Sequence, residues 1–431
     1  MPDTITPLFS ATPATFTALF LAAFILTFGL RLWLALRQMR HVWLHRDTPP
    51  AAFAEVIGID AHRRAADYTL AKTRLGLAGL AVEAMLLYAF TLGGGLQALA
   101  ETVARQVESP LIAGALTLLA LAFIHALAEL PLAVWRQFRT EARFGFNRQT
   151  PAGFAVDLVR QAGLGLVLGG SLILLVLWLM AVMGELWWLW VWLAWMGFNL
   201  LVLAIWPIFI APLFNTFTPL ADAALNARIE ALLARTGFSS NGIYVMDGSR
   251  RSSHGNAYFT GLGQSKRIVF YDTLLERLSP EQVEAVLAHE LGHYRRRHIA
   301  KRIGLMFGLS LILLLALAAL KGNPAFYAGL GVSHISDATA LALFFMVLPL
   351  FTFPLTPLMS LYSRRHEFEA DAFAAQHSQA AHLIGALVRL YRDNAATLTP
   401  DPIHSLFYDS HPKASERIAR LDTQALHPVS V

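Results

Sequence analysis

LAHELGHYRRRHIAKRIGLMFGLSLILLLALAALK, residues 287–321, joins a metal-binding signature directly to an apolar run. In its first part His289 and His293 stand four residues apart, which puts both imidazoles on one face of a helix and within reach of one metal ion. Its last part, from 303 to 320, is apolar enough to enter a bilayer as a helix. Upstream, Ser279-Pro280-Glu281-Gln282 has the form of a helix start, with Ser279 as N-cap, Pro280 at the first helical position and Gln282 closing a capping box. A helix is therefore expected from Pro280 past His298. Nothing in the basic cluster Arg295, Arg296, Arg297, Lys301 and Arg302 breaks it, so the pattern allows one rod to run on into the membrane.

The rest of the chain is of the same kind. It has 431 residues, 56% hydrophobic and only 15% charged, where soluble domains carry about a quarter charged residues. Apolar runs near 14–36, 75–96, 111–135, 161–182, 187–210, 303–320 and 339–361 approach or reach the roughly 20 residues that cross a hydrocarbon core. The first has no basic flank before it and no small-residue cleavage site after it, so it reads as a retained helix. The net charge of +5 is spread by loop and not gathered in one patch, which argues against nucleic acid. Segment 37–74 holds Arg37, Arg40, Arg46, Arg63, Arg64, Lys72 and Arg74, and segment 136–160 is similarly basic, while the intervening loops hold almost none. By the positive-inside rule this puts the N-terminus outside and residues 211–301 and 362–431 on the cytoplasmic side. The expected organisation is thus 1–210 with five membrane helices, 211–301 as the first part of a catalytic domain, 302–361 with two more membrane helices, and 362–431 as its second part. Within 211–301, a helical pattern from Ala221 to about Thr236 precedes strand-like runs at 242–246, 256–260 and 267–271. There is no cysteine, so disulfides and thiolate ligands are excluded.

Glu290 follows His289 by one residue, about 100° round the helix, too far to join the histidines on the metal but placed to take a proton from an attacking water. A catalytic zinc usually has three protein ligands. The third is not the histidine of the longer HExxHxxGxxH pattern, because position 296 is Arg and 299 is Ile. SRRHEFEADAFA (363–374) supplies Glu367, Glu369 and Asp371. Glu367 and Asp371 share a helix face at i, i+4, so one can bind metal while the other accepts the free ring N–H of a ligand histidine; Glu369 points elsewhere. By spacing alone a solvated acidic face balanced by Arg364 and Arg365 competes with that reading.

The longer pattern resembles the type I CAAX prenyl protease family of integral-membrane zinc peptidases. The resemblance rests on EARFGFNRQT (141–150), FIAPLFNTFTPL (209–220), NAYFTG (256–261), RIVFYDTLL (267–275), LAHELGHYRRRH (287–298), SRRHEFEADAFA (363–374) and SHPKASERI (410–418). It implies a mainly α integral membrane protein of about seven transmembrane helices with a small α+β gluzincin-type zinc metallopeptidase domain. It also implies one zinc ion per chain held by His289, His293 and Glu367, with Glu290 as the catalytic base and Asp371 behind the ligands. Asn256 matches the start of a strand that pairs with extended substrate, and His411 a residue that stabilises the oxyanion. The expected partners are a peptide or membrane-protein substrate and the lipid bilayer. Scarce lysine beside arginine reads as a bacterial inner membrane, and the terminal HPVSV carries no dilysine-type retrieval signal.

Two other functions fit parts of the sequence. A quality-control protease of the heat-shock type shares the HExxH chemistry but has fewer spans. A transporter or channel with a retained peptidase-like domain would account for Glu83, His125 and Glu129 inside apolar spans. The intact set of His289, Glu290, His293 and Glu367 favours an enzyme, and the three intramembrane residues are then expected to face a water-filled space beneath the zinc domain.

Overall fold

The computed structural model describes residues 12–53, 56–260 and 267–426. Gly261 of the NAYFTG run and the terminal HPVSV lie outside them. The chain is a mainly α membrane protein carrying a small α+β domain. Among the described residues seven helices are long and apolar enough to cross a membrane: Pro13–Leu44, Ile59–Phe90, Pro110–Glu141, Pro151–Val182, Gly184–Phe214, His298–Lys321 and Asp337–His377. The count agrees with the hydropathy reading, but the lengths do not. The first four run 32 residues each, about 48 Å, against a hydrocarbon core of about 30 Å. Hydropathy marks where lipid ends, not where a helix ends. The polar continuations reach into the catalytic domain: Arg37 on the first span donates to the buried Asp401 at 2.9 Å, and Gln38 accepts the Asp401 backbone N–H at 2.7 Å. Two of the segments between spans also carry helices, Gly95–Gln106 and Pro324–Gly329.

Between the spans lies a cavity of about 1270 Å³. Glu83, His125 and Glu129 all line it, with Arg31, Asn199 and Arg302, amid largely apolar walls. Arg31 pairs with Glu83 at 2.8 Å.

On the side to which the basic loops belong, one apolar core draws on both polar segments. Leu225, Ile229 and Leu232 come from the helix Ala223–Thr236, Val283, Leu287 and Leu291 from the HExxH helix, Phe373 from the last turns of the seventh span, and Leu383, Leu387 and Leu421 from beyond it. Among the described residues the sheet has four strands, β1 (Phe217–Pro219), β2 (Ile243–Met246), β3 (Ala257–Thr260) and β4 (Arg267–Tyr271), in the order β1-β2-β4-β3. β1 went unread in the sequence, being three residues ending in proline. β3 is an edge strand, antiparallel to β4, and it packs against the HExxH helix.

The HExxH helix, Pro280–Arg295, starts as expected, with the Ser279–Gln282 capping box formed. It does not continue into the bilayer. Arg297 adopts φ 55°, a left-handed conformation, and the sixth span begins afresh at His298. The seventh span behaves in the opposite way: past a short tight turn at Phe353–Leu355 it runs on as the helix Thr356–His377, which carries Glu367.

Candidate metal centre

Two helices make the centre. The HExxH helix presents His289 and His293, and Thr356–His377 crosses it so closely that there is no room for a side chain between them. A Cβ on Gly292 would lie 2.9 Å from Ala370 Cα and 3.0 Å from its carbonyl oxygen. Glycine inside HExxH is therefore a packing requirement, and this contact sets how far Glu367 reaches.

The structure brings His289, His293 and Glu367 together, with one ligand atom from each within 4.8 Å of the others. His289 Nε2 and His293 Nε2 are 3.2 Å apart. Glu367 Oε2 lies 3.5 Å from His289 Nε2, and Oε1 lies 3.4 Å from His293 Nε2. Donors on a tetrahedral zinc with bonds of about 2.1 Å stand roughly 3.4 Å apart, so the spacing fits that ion. The donor chemistry fits too. Among the described residues no hydrogen bond reaches the buried Glu367 Oε2, and the Arg417 guanidinium stands no nearer to it than 3.7 Å, so this oxygen is left open to a cation. Burial pushes the His289 imidazole pKa down, but Asp371 and Glu367 more than reverse this and raise it to about 9. These carboxylates call for positive charge, and a metal ion competes for the same lone pair as that proton.

Behind the donors, His289 Nδ1 lies 2.9 Å from Asp371 Oδ1, the carboxylate–histidine contact that orients a ligand ring. Asp371 is held in turn by Arg417, whose Nε and second guanidinium nitrogen donate to both carboxylate oxygens at 2.8 and 2.6 Å. Arg417 is 5% exposed and reaches Glu367 Oε2 at 3.7 Å. Sequence reasoning did not single it out, though a signal was present: it falls between Ala414, Ile418 and Leu421 on the apolar face of the last helix, where a lone cation needs an acid.

Glu290, next to His289 in the HExxH helix, is half-buried, and among the described residues no group pairs with its carboxylate. His411 stands at the open edge, its Nε2 3.5 Å from Glu367 Oε1 and its Nδ1 3.0 Å from Ser410 Oγ. Asn256 is exposed just before β3, with its side-chain oxygen accepting the Ala257 N–H at 2.8 Å. The loop leading to it is docked on the membrane region: the Ser253 N–H donates to the Phe146 carbonyl at 3.2 Å, and the His254 ring stacks on Phe146. Glu369 does not face the metal donors; it reaches His298.

Known proteins resemble this chain over most of its length. Residues 38–216 match the family described as CAAX prenyl protease N-terminal, five membrane helices, and residues 219–425 match Peptidase family M48. CAAX prenyl protease 1 of Saccharomyces cerevisiae is 37% identical over 321 residues, covering 70% of each chain. The CAAX prenyl protease 1 homolog of Homo sapiens is 31% identical over 354 residues, covering 72% of this chain and 74% of the relative. The crystal structure of S. mikatae Ste24p superposes with a TM-score of 0.89 at 29% identity, over 94% of this chain and 99% of that one.

Proposed function

We propose that this chain, which belongs to the CAAX prenyl protease family of M48 peptidases and is a membrane zinc metalloprotease, holds one zinc ion with His289, His293 and Glu367 and uses Glu290 as its base. The observation that carries the assignment is the convergence of those three donors within 4.8 Å, with the half-buried Glu290 next in the chain to His289 and unpaired among the described residues. When bound, zinc supplies Lewis-acid polarisation of water and of the scissile carbonyl. Glu290 takes a proton from the water as its oxygen adds to the carbonyl carbon, and returns that proton to the leaving amine as the C–N bond breaks. His411, at the open edge, donates to the oxygen on which negative charge develops. Asp371, clamped by Arg417, keeps the Nδ1 proton of His289 outward and so leaves Nε2 free for the metal.

The substrate enters as an extended segment on the free edge of β3, with Asn256 at its start. The relatives are named for CAAX prenyl processing, and the same substrate class is proposed here: the C-terminal region of a prenylated or membrane-associated peptide. The active face lies on the cytoplasmic side by the distribution of basic loops. Assignment to a bacterial inner membrane rests on arginine usage alone, and the relatives named above are eukaryotic.

Peptide products identified by mass spectrometry test the proposal. Glu290→Gln is expected to abolish cleavage while the purified protein keeps about one zinc per chain. Loss of zinc together with activity would make Glu290 a ligand and overturn the assignment.

A further inference from the structure

The break at Arg297 has a chemical consequence. A non-glycine residue in the left-handed region is uncommon and costly, and such residues gather at functional sites. Here it turns the chain so that His298, 2% exposed, lies back against the metal centre. His298 Nδ1 is 3.0 Å from His293 Nδ1, and on its far side His298 Nε2 is 3.1 Å from Glu369 Oε2. The ring is stacked on His366, centroids 3.9 Å apart and planes within 8°. Arg365 Nε donates to the other Glu369 oxygen at 3.1 Å.

With both imidazoles neutral, only one proton arrangement satisfies this chain. A carboxylate accepts, so His298 carries its proton on Nε2 and leaves a lone pair on Nδ1. That lone pair accepts from His293, whose proton must then sit on Nδ1, which frees His293 Nε2 to meet a metal. We propose that His298 and Glu369 are positioning residues for the second ligand histidine: Glu369 fixes the tautomer of His298, and His298 fixes the tautomer and ring angle of His293. The two ligand histidines are then oriented from one helix by different routes. Asp371 holds His289 directly. Glu369 holds His293 through an intervening imidazole, because it projects from another side of the helix. The left-handed turn at Arg297 is what lets that imidazole be the first residue of a membrane span.

This inference rests on the metal reading of His289, His293 and Glu367, and its test separates the two. Full-length zinc-loaded protein in detergent is mixed with a chromophoric chelator, and the rate of zinc transfer is followed for wild type, His298→Phe, His298→Gln and Glu369→Ala. His298→Phe and Glu369→Ala are expected to release zinc about 10 to 100-fold faster than wild type. His298→Gln, whose amide can accept from one neighbour and donate to the other, should recover most of the difference. The visible ligand-field spectrum of the cobalt-substituted protein should shift in His298→Phe, and unfolding of the metal-stripped proteins should coincide. A merely structural histidine would move the unfolding and leave the spectrum alone. If His298→Phe does not fold, the partly exposed Glu369 decides the matter through its alanine variant. Wild-type release rates in the variants that fold would overturn the inference. A wild-type protein that takes up no zinc would overturn the metal reading, and this inference with it.

Discussion

The sixth and seventh spans meet the catalytic domain in opposite ways. At the sixth, the HExxH helix stops at Arg295, the chain turns through Arg297 at φ 55°, and the membrane helix starts at His298. At the seventh, one helical run from Asp337 to His377 carries a membrane segment into the metal centre with only a short tight turn inside it. The HExxH helix is thus oriented by the core of the catalytic domain, in which Val283, Leu287 and Leu291 are buried, whereas Glu367 is set at the end of a rod anchored in the bilayer. A centre built from one helix of each kind keeps two donors fixed by local packing and one fixed by the membrane. The cavity reaches both junctions, with Ile299 and Arg302 lining it from one and Met359 from the other.

The most damaging change should be one that alters phase in the continuous junction. Inserting a single alanine between Leu361 and Tyr362 turns everything beyond it by about 100° and advances it about 1.5 Å, taking Glu367 and Asp371 off the site together. Metal analysis and peptide cleavage should both fall to background, as they should for Glu367→Ala. A glycine inserted between Arg296 and Arg297 falls where the chain already turns. It should retain zinc and part of the activity, displacing only His298 from His293. Equal loss from both insertions would break the comparison.

Next come changes where the two helices touch. Gly292→Ala places a methyl 2.9 Å from backbone atoms of Ala370, and backbone cannot rotate aside as a side chain can. The expected cost is about 1–3 kcal/mol, with weaker zinc binding because Glu367 is levered away. Chemical denaturation and zinc titration of the same variant check both. Arg417→Lys should act on the metal side alone. A lysine cannot reproduce the two-pronged bond to Asp371, so zinc affinity should fall about 10 to 100-fold. An unchanged affinity would remove Arg417 from the centre.

What could be read beforehand follows from how local each signal is. The HExxH helix start and the span count depend on residues close in sequence, and both are present. Glu367 and Asp371 could be paired by helical spacing, but their competition with a solvated acidic face was resolved only by resemblance. Arg417 is 46 positions from Asp371, so only its misfit on an apolar face could have marked it. Spacing tells which acids share a face, not what another helix places opposite the remaining one, Glu369; His298 is what stands there. The break at Arg297 left no trace, since the sequence has neither glycine nor proline at that point and arginine is a good helix former.

That silent break supplies the mildest test. Arginine at φ 55° is held there by its surroundings: the Arg297 N–H donates to the Tyr294 carbonyl at 2.9 Å, and the Arg297 carbonyl accepts from Lys301 at 3.0 Å to begin the next helix. Glycine adopts this conformation without the Cβ penalty, which for other residues is roughly 1–2 kcal/mol. Offsetting that, glycine gains more freedom in the unfolded chain. Arg297→Gly is therefore expected to lie between neutral and about 1 kcal/mol more stable, with zinc release at the wild-type rate because His298 keeps its place. Arg297→Val should be destabilised by about 1–2 kcal/mol, since a β-branched residue is least tolerant of positive φ. Were valine as stable as glycine at 297, the left-handed turn would be absent, and the sixth junction would be a continuous helix like the seventh.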